Sequence, residues 1–146
     1  MAAEQSGGEA PARIAYVTTV ALSVRLLFAS QLAHLQRSGF DVTAVSGGGD
    51  DLAAVRASGI RHILVPFTRR MSLVSDVVAT WHLWRVFRRE RFAIVHTHQP
   101  KPGLFGQIAA RLAGVPIVVN TVHGFLFTER SPAFKRRAWI ALERLA

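Results

Sequence analysis

Hydrophobic positions along the chain form short β-branched runs separated by longer stretches with helical spacing. Arg13–Val20 (RIAYVTTV) predicts a buried strand. Ser23–Ser38 predicts a helix that stops at Gly39, because glycine closes helices in the left-handed conformation without steric cost. Asp41–Ser46 predicts a second strand, Gly47-Gly48-Gly49 a turn, and Asp50 a cap for a short helix that runs to about Ser58, before Gly59. His62–Val65, closed by Pro66, predicts a third strand. Ser72 then caps a predicted helix over Leu73–Glu90. On that helix Leu73, Val77, Trp81, Trp84 and Phe87 share a stripe that predicts its core face, with Leu83 at the edge. His82, Arg85 and Arg89 fall opposite. Phe92–His96 and Pro116–Val122 predict two more strands, with a helix between them from near Gly103 to Gly114. A last helix is expected from Pro132 or Ala133 to the final residue. Residues 1–12, small and polar, predict a flexible tail.

Continuous rather than alternating apolar strands, each followed by a helix, predict a parallel sheet covered on both faces. The fold class expected is therefore α/β, a Rossmann-like open parallel sheet flanked by helices over residues 13–146. Ligands in such sheets bind beyond the carboxyl ends of the strands. Five segments fall there: Thr18–Ser23, Ser46–Asp50, Pro66–Ser72, Thr97–Gly103 and His123–Arg130.

Length narrows this picture. The 146 residues, half of them hydrophobic, suffice for one domain with a real core. They are too few for a (β/α)₈ barrel, which needs roughly 200 or more, or for a two-domain enzyme with an interdomain cleft. The absence of cysteine removes disulfides, thiolate zinc sites and cysteine nucleophiles, and fits a reducing compartment. Met1–Pro11 contains Glu4 and Glu9 and lacks a basic region, so no signal peptide is expected. The apolar stretch Ile14–Leu35 is broken by Arg25 and His34, so no membrane-spanning helix is expected there.

Charge is uneven. Residues 1–60 hold four basic and five acidic side chains, a net of −1; residues 61–146 hold fourteen and four, a net of +10, which gives the chain its +9. A basic half implies anionic partners such as phosphates, nucleic acid or an acidic lipid surface. The last helix sets Trp139 and Ile140 beside Lys135, Arg136 and Arg137, which suits either an anionic membrane interface or contact with another domain. Nucleic acid is not an expected partner, because the basic residues are not interleaved with exposed aromatics and Trp81 and Trp84 read as core.

Two segments could carry chemistry. His96-Thr97-His98-Gln99-Pro100-Lys101-Pro102-Gly103 leaves a strand and enters a helix. Free backbone N–H groups at that helix start, with Lys101 adjacent, read as a phosphate or diphosphate site or as a plain Pro/Gly turn with a solvated lysine. Thr121-Val122-His123-Gly124-Phe125 puts a histidine at a strand end, where Gly124 permits close approach; it reads as a reacting group or as a histidine satisfied by a carbonyl. His96 and His98 could share a face and join His123 around a metal. With no cysteine, and with Asp76 and Glu129 not obviously placed, no metal is expected; His96 is expected buried and His98 exposed. Arg69-Arg70, in a loop on the ligand edge, could clamp an anion or be solvated.

The stretch from Ile94 to Phe127 (IVHTHQPKPGLFGQIAARLAGVPIVVNTVHGFLF), with Pro66–Asp76 (PFTRRMSLVSD) and the opening strand–helix–Gly39, resembles the N-terminal domain of family-four glycosyltransferases of the GT-B fold. The similarity is to the branch that builds bacterial surface polysaccharides and covers residues 13–146. The resemblance implies transfer of a sugar from a nucleotide-sugar to an acceptor, often linked to a polyprenyl diphosphate on the cytoplasmic membrane face. It implies no metal or other cofactor, with the nucleotide-sugar as co-substrate. By similarity His123 matches the active-site histidine. His98, Lys101 and Gly103 match the H-T-H-x-P-K-x-G stretch on the acceptor side, and Arg70 matches the arginine of the preceding loop.

Two features depart from the family. The loop after the first strand, Thr18–Ser23, lacks the Gly-Gly pair that many relatives place near the donor diphosphate. The C-terminal domain that binds the donor and carries the E-x(7)-E motif is absent, so no transfer is expected from the chain alone. A two-chain enzyme, in which this is the acceptor-binding or anchoring subunit, and an unrelated Rossmann-like nucleotide-binding module remain as alternatives.

Overall fold

The structure is a computed structural model and describes residues 10–68, 72–98, 100–123 and 132–145; the side chains at 73, 100, 135, 138, 139, 142, 143 and 145 fall outside the description. Five parallel strands, β1 (Arg13–Val20), β2 (Asp41–Gly47), β3 (Arg61–Leu64), β4 (Ile94–His98) and β5 (Ile117–Thr121), make one sheet in the order β3-β2-β1-β4-β5. The expected Rossmann-like layer is therefore present. Its order reverses between β1 and β4, and that reversal opens a crevice at their carboxyl ends.

The helices divide between the two faces. On one lie α1 (Ala21–Ser23), a π-helical segment (Val24–Phe28), α2 (Ala29–Arg37) and α3 (Leu52–Ala57). Their core gathers Ile14, Tyr16, Val24, Phe28, Leu32 and Val42. On the other lie α4 (Leu73–Glu90) and α5 (Pro100–Leu112), packed over Val17, Val45, Leu83, Phe87, Val95 and Ala109. Full burial of a side chain the size of Leu83 or Phe87 contributes about 1.5–3 kcal/mol. A final helix, α6, spans Ala133–Leu145.

Two glycines are required by close approach. A Cβ on Gly106 would lie 2.8 Å from Thr97 Cγ2, so its absence lets α5 settle onto β4. A Cβ on Gly47 would lie 2.6 Å from the Thr19 carbonyl and 2.8 Å from that of Phe67, where β1, β2 and the chain after β3 converge.

Several expectations need correction. Of the predicted α4 stripe Phe87 is buried and Trp84 packs against the core, but Val77 is 65% and Trp81 48% exposed; the core face is Asp76, Ala79, Leu83 and Phe87. The helix is turned so that Asp76 faces α5, which leaves Val77 and Trp81 on the outside. Strand β4 runs two residues beyond His96, and α5 starts at Pro100, where proline's fixed φ suits a first helical turn. The N-cap of α3 is Asp51, not Asp50, and the Asp51 carboxylate accepts from Arg25 Nε at 2.5 Å rather than capping the helix.

At the amino end of the sheet Arg13 Nε donates to Asp41 Oδ2 at 3.0 Å and Arg13 Nη2 to Glu90 Oε2 at 2.7 Å. Arg61 grips both oxygens of Glu90, at 2.7 and 3.0 Å. Hydrogen bonds from Arg61 and then Arg13 push the Glu90 carboxyl down to about 2.

Candidate functional site

The carboxyl ends of β1, β4 and β5 bring three histidines together. Side chains alternate along a strand, so His96 and His98 of β4 leave on one face, beside Tyr16 of β1. His123 follows β5, and its Nε2 lies 3.3 Å from His98 Nδ1. His96 Nε2 is 2.7 Å from the Thr121 hydroxyl. The His96 and His98 rings are 4.0 Å apart between centroids.

Aromatic residues wall this cluster. Tyr16 stacks on His98 at 5.0 Å and meets His96 edge-on at 4.8 Å. Phe28, the last residue of the π-helical segment, covers His98 at 4.2 Å and reaches His123 at 5.8 Å. Burial, with weaker repulsion from the neighbouring imidazoles, pushes His98 down to about 3, so it is neutral at physiological pH. Burial likewise lowers His96 and raises the Tyr16 phenol.

The burial expected of this pair is inverted. His98 is 2% exposed, whereas His96 is only partly buried. The reason is the longer β4, which keeps His98 inside the sheet and under Phe28. His123 stands exposed at the edge. Among the described residues no group of three His, Cys, Asp or Glu side chains is arranged to hold a metal ion.

Lys101 sits elsewhere. The residue is 6% exposed, and its ammonium turns to the α4 side, 2.5 Å from Asp76 Oδ1, and donates to the Thr68 carbonyl at 2.8 Å. Asp76 is itself 3% exposed, and its Oδ2 accepts from the Ser72 N–H at 3.1 Å, which ties down the start of α4. This is neither a solvated lysine nor one presented to the crevice. The pair clamps the start of α5 to the first turn of α4. Gly103 faces β5, where a Cβ would come within 3.0 Å of Asn120 Oδ1; Asn120 in turn receives the Thr97 hydroxyl at 3.0 Å.

Sequence reasoning misses Tyr16, Phe28 and Asn120 as site residues and weighs Asp76 only as a metal ligand. The i, i+2 relation to Ile14 signals the inward face for Tyr16. Asp76 one turn after a cap residue was a second signal. Nothing in the sequence marked the π-helical segment that aims Phe28. Arg70 and Gly124, and the side chains of Lys135 and Trp139, lie outside the described residues; Arg136 and Arg137 are exposed on α6.

A second surface lies over α4 and α5. Val77, Trp81 and Trp84 form a groove with Phe105, Ile108 and Leu112. The Arg85 guanidinium lies 4.7 Å over the Trp81 ring, and Arg88 and Arg89 line the adjoining hollow. Exposed aromatic and basic side chains are therefore interleaved here, contrary to the expectation that Trp81 is core. No described helix is long and apolar enough to cross a membrane.

The family model described as "Glycosyl transferase 4-like domain" matches residues 24–146. A UDP-Gal:alpha-D-GlcNAc-diphosphoundecaprenol alpha-1,3-galactosyltransferase from Escherichia coli is 36% identical over 118 residues, which are 79% of this chain and 30% of that protein. The capsular polysaccharide biosynthesis glycosyltransferase CapM from Staphylococcus aureus is 32% identical over 134 residues, 92% of this chain and 34% of that protein. The chain thus spans about a third of the length of the curated relatives it matches. Among solved structures, a glycosyltransferase from Rickettsia africae superposes with a TM-score of 0.67 at 17% identity, covering 88% of this chain and 33% of the other. MurG from Acinetobacter baumannii superposes at 0.60 with 19% identity, covering 84% and 43%. At those identities the superpositions speak for the fold alone, one half of a GT-B architecture.

Proposed function

The chain belongs to the glycosyl transferase 4-like family as an N-terminal glycosyltransferase domain, and from that premise we propose that its crevice receives the acceptor in sugar transfer to a lipid-diphosphate-linked glycan. One observation carries the reading: the 36% identity with a relative named for a GlcNAc-diphosphoundecaprenol acceptor. The family match sets aside the unrelated Rossmann-like module.

In this proposal His123, held at the edge by His98, hydrogen-bonds the reacting sugar or acceptor. The start of α5 borders the diphosphate; Gly124 and Arg70, outside the described residues, are assigned to it from the sequence resemblance alone. Lys101 and Gly103 serve there by fixing α5 against α4 and β5 rather than by touching phosphate. The nucleotide-sugar is co-substrate, bound mainly by a C-terminal domain or a partner chain, and no metal is needed.

The surface that meets the membrane is the α4–α5 groove with Arg85, Arg88 and Arg89; Lys135, Arg136, Arg137 and Trp139 of α6 are added from the sequence pattern alone. Apolar side chains beside a basic cluster suit anionic headgroups, and contact on the inner face of the cytoplasmic membrane follows.

Calorimetric titration with GlcNAc-diphosphoundecaprenol in detergent micelles tests the reading. Saturable binding that is weakened about tenfold or more in His123→Ala is expected, since a lost hydrogen bond to a charged group is worth about 1.5–3 kcal/mol. Indifference to the diphosphate, tested with undecaprenol alone, would overturn it.

A further inference from the structure

His98 lies inside the protein and His123 at its surface, joined by one nitrogen–nitrogen contact of 3.3 Å between His98 Nδ1 and His123 Nε2. One of the two nitrogens must donate and the other accept. His98 Nε2, at the other side of the buried ring, has no hydrogen-bond partner among the described residues.

Two arrangements satisfy the contact when both rings are neutral. If His123 donates, His98 must carry its proton on Nε2, and that N–H is buried without an acceptor. If His98 donates from Nδ1, its Nε2 is a bare lone pair, and no N–H is orphaned. Among backbone groups a buried orphan N–H is rarer than an under-satisfied acceptor, and the same preference applied to the imidazole favours the second arrangement. The sandwich of Tyr16 and Phe28 holds the His98 ring in the plane that the contact requires. Its burial keeps the ring neutral, as its strongly lowered pKa reflects.

We infer that His98 is a positioning residue that donates from Nδ1 to His123 Nε2 and thereby fixes His123 in its Nδ1–H form. His123 then offers its ligand a hydrogen-bond donor at Nδ1, while its Nε2 lone pair is occupied. It is set to bind an oxygen that accepts, such as a sugar hydroxyl or a phosphate oxygen, and not to remove a proton. The ligand part of this inference rests on the acceptor-binding reading; the proton assignment does not.

Two-bond ¹H–¹⁵N correlation spectra of the ¹⁵N-labelled full chain at pH 7.5 read the proton directly. His123 is expected to show a protonated Nδ1 and an imine-type Nε2. In His98→Phe, which keeps a ring but lacks the donor, the His123 signals are expected to shift to the Nε2–H form that a free imidazole favours. In His98→Asn, whose amide nitrogen can stand where Nδ1 stood, the Nδ1–H form is expected to return. A wild-type His123 protonated at Nε2 would overturn the inference, as would a folded His98→Phe with the tautomer unchanged. Should His98→Phe not fold, the wild-type and His98→Asn spectra still decide. Failure of the chain to bind lipid diphosphate would leave these spectra as predicted and count only against the acceptor-binding reading.

Discussion

At the amino end of the sheet, Arg13 and Arg61 converge on Glu90 with their side chains 33% and 47% exposed. At the carboxyl end, Lys101 and Asp76 are paired at 7% and 4% side-chain exposure, and the buried His98 leaves one nitrogen without a partner among the described residues. The first region keeps full charges in contact with water and satisfies them several times over. The second takes polar groups out of water and satisfies them from side chains and carbonyls of neighbouring elements. Water-facing networks tolerate loss, whereas buried ones hold groups in fixed positions at a standing cost in stability. That cost, concentrated where ligands bind in this fold, separates a binding site from a structural network.

The largest expected effect follows from removing one member of the buried pair. Lys101→Met leaves Asp76 charged and unpaired, and should cost about 3–5 kcal/mol in urea unfolding. The double variant Lys101→Met, Asp76→Leu should recover most of it. Equal losses in the single and double variants would mean that the pair is not coupled.

Acid should attack the carboxyl end first. Unfolded histidine takes up a proton near pH 6.5, whereas folded His98 does so only at about 3. Between those values the unfolded chain binds more protons, so stability is full above pH 6.5 and falls as pH drops through the window. The slope is about 1.4 kcal/mol per pH unit for each proton taken up. His96, also lowered, adds to it. His98→Phe should flatten the slope, and an unchanged one would show that His98 is not buried as described.

The amino end should respond later and less. The Glu90 carboxylate, held at about 2, stabilises the fold above its unfolded value of 4.5, and that contribution is lost as pH falls from there towards 2. With its arginine partners partly exposed, roughly 2 kcal/mol is expected. Glu90→Gln should reduce the dependence below pH 4.5 to what His98 still contributes down to about 3, and leave the one above pH 4.5 intact. The smallest effect belongs to the exposed Arg25–Asp51 pair, where Arg25→Ala should cost no more than about 1 kcal/mol.

The contrast also governs what the sequence discloses. Strands β1 to β5 were legible as β-branched runs, and α4 over Leu73–Glu90 was found at its observed limits between Ser72 and Arg91. Burial of apolar side chains produces those patterns, and it is a local property. The helix face was not legible, because Asp76 turns inward towards a lysine 25 positions away. Nor was His98 burial, which depends on two extra residues of β4 and on Phe28 from another element. The histidines could be picked out by type and place at strand ends, but which one is inside is decided by partners distant in sequence.

The most direct test of the account follows the same ¹⁵N-labelled chain as GlcNAc-diphosphoundecaprenol is added in micelles. The His123 ring signals are expected to move saturably while the Arg13 and Arg61 guanidinium signals at the opposite end stay fixed. Shifts at the amino end, or none at His123 while lipid binds, would contradict it.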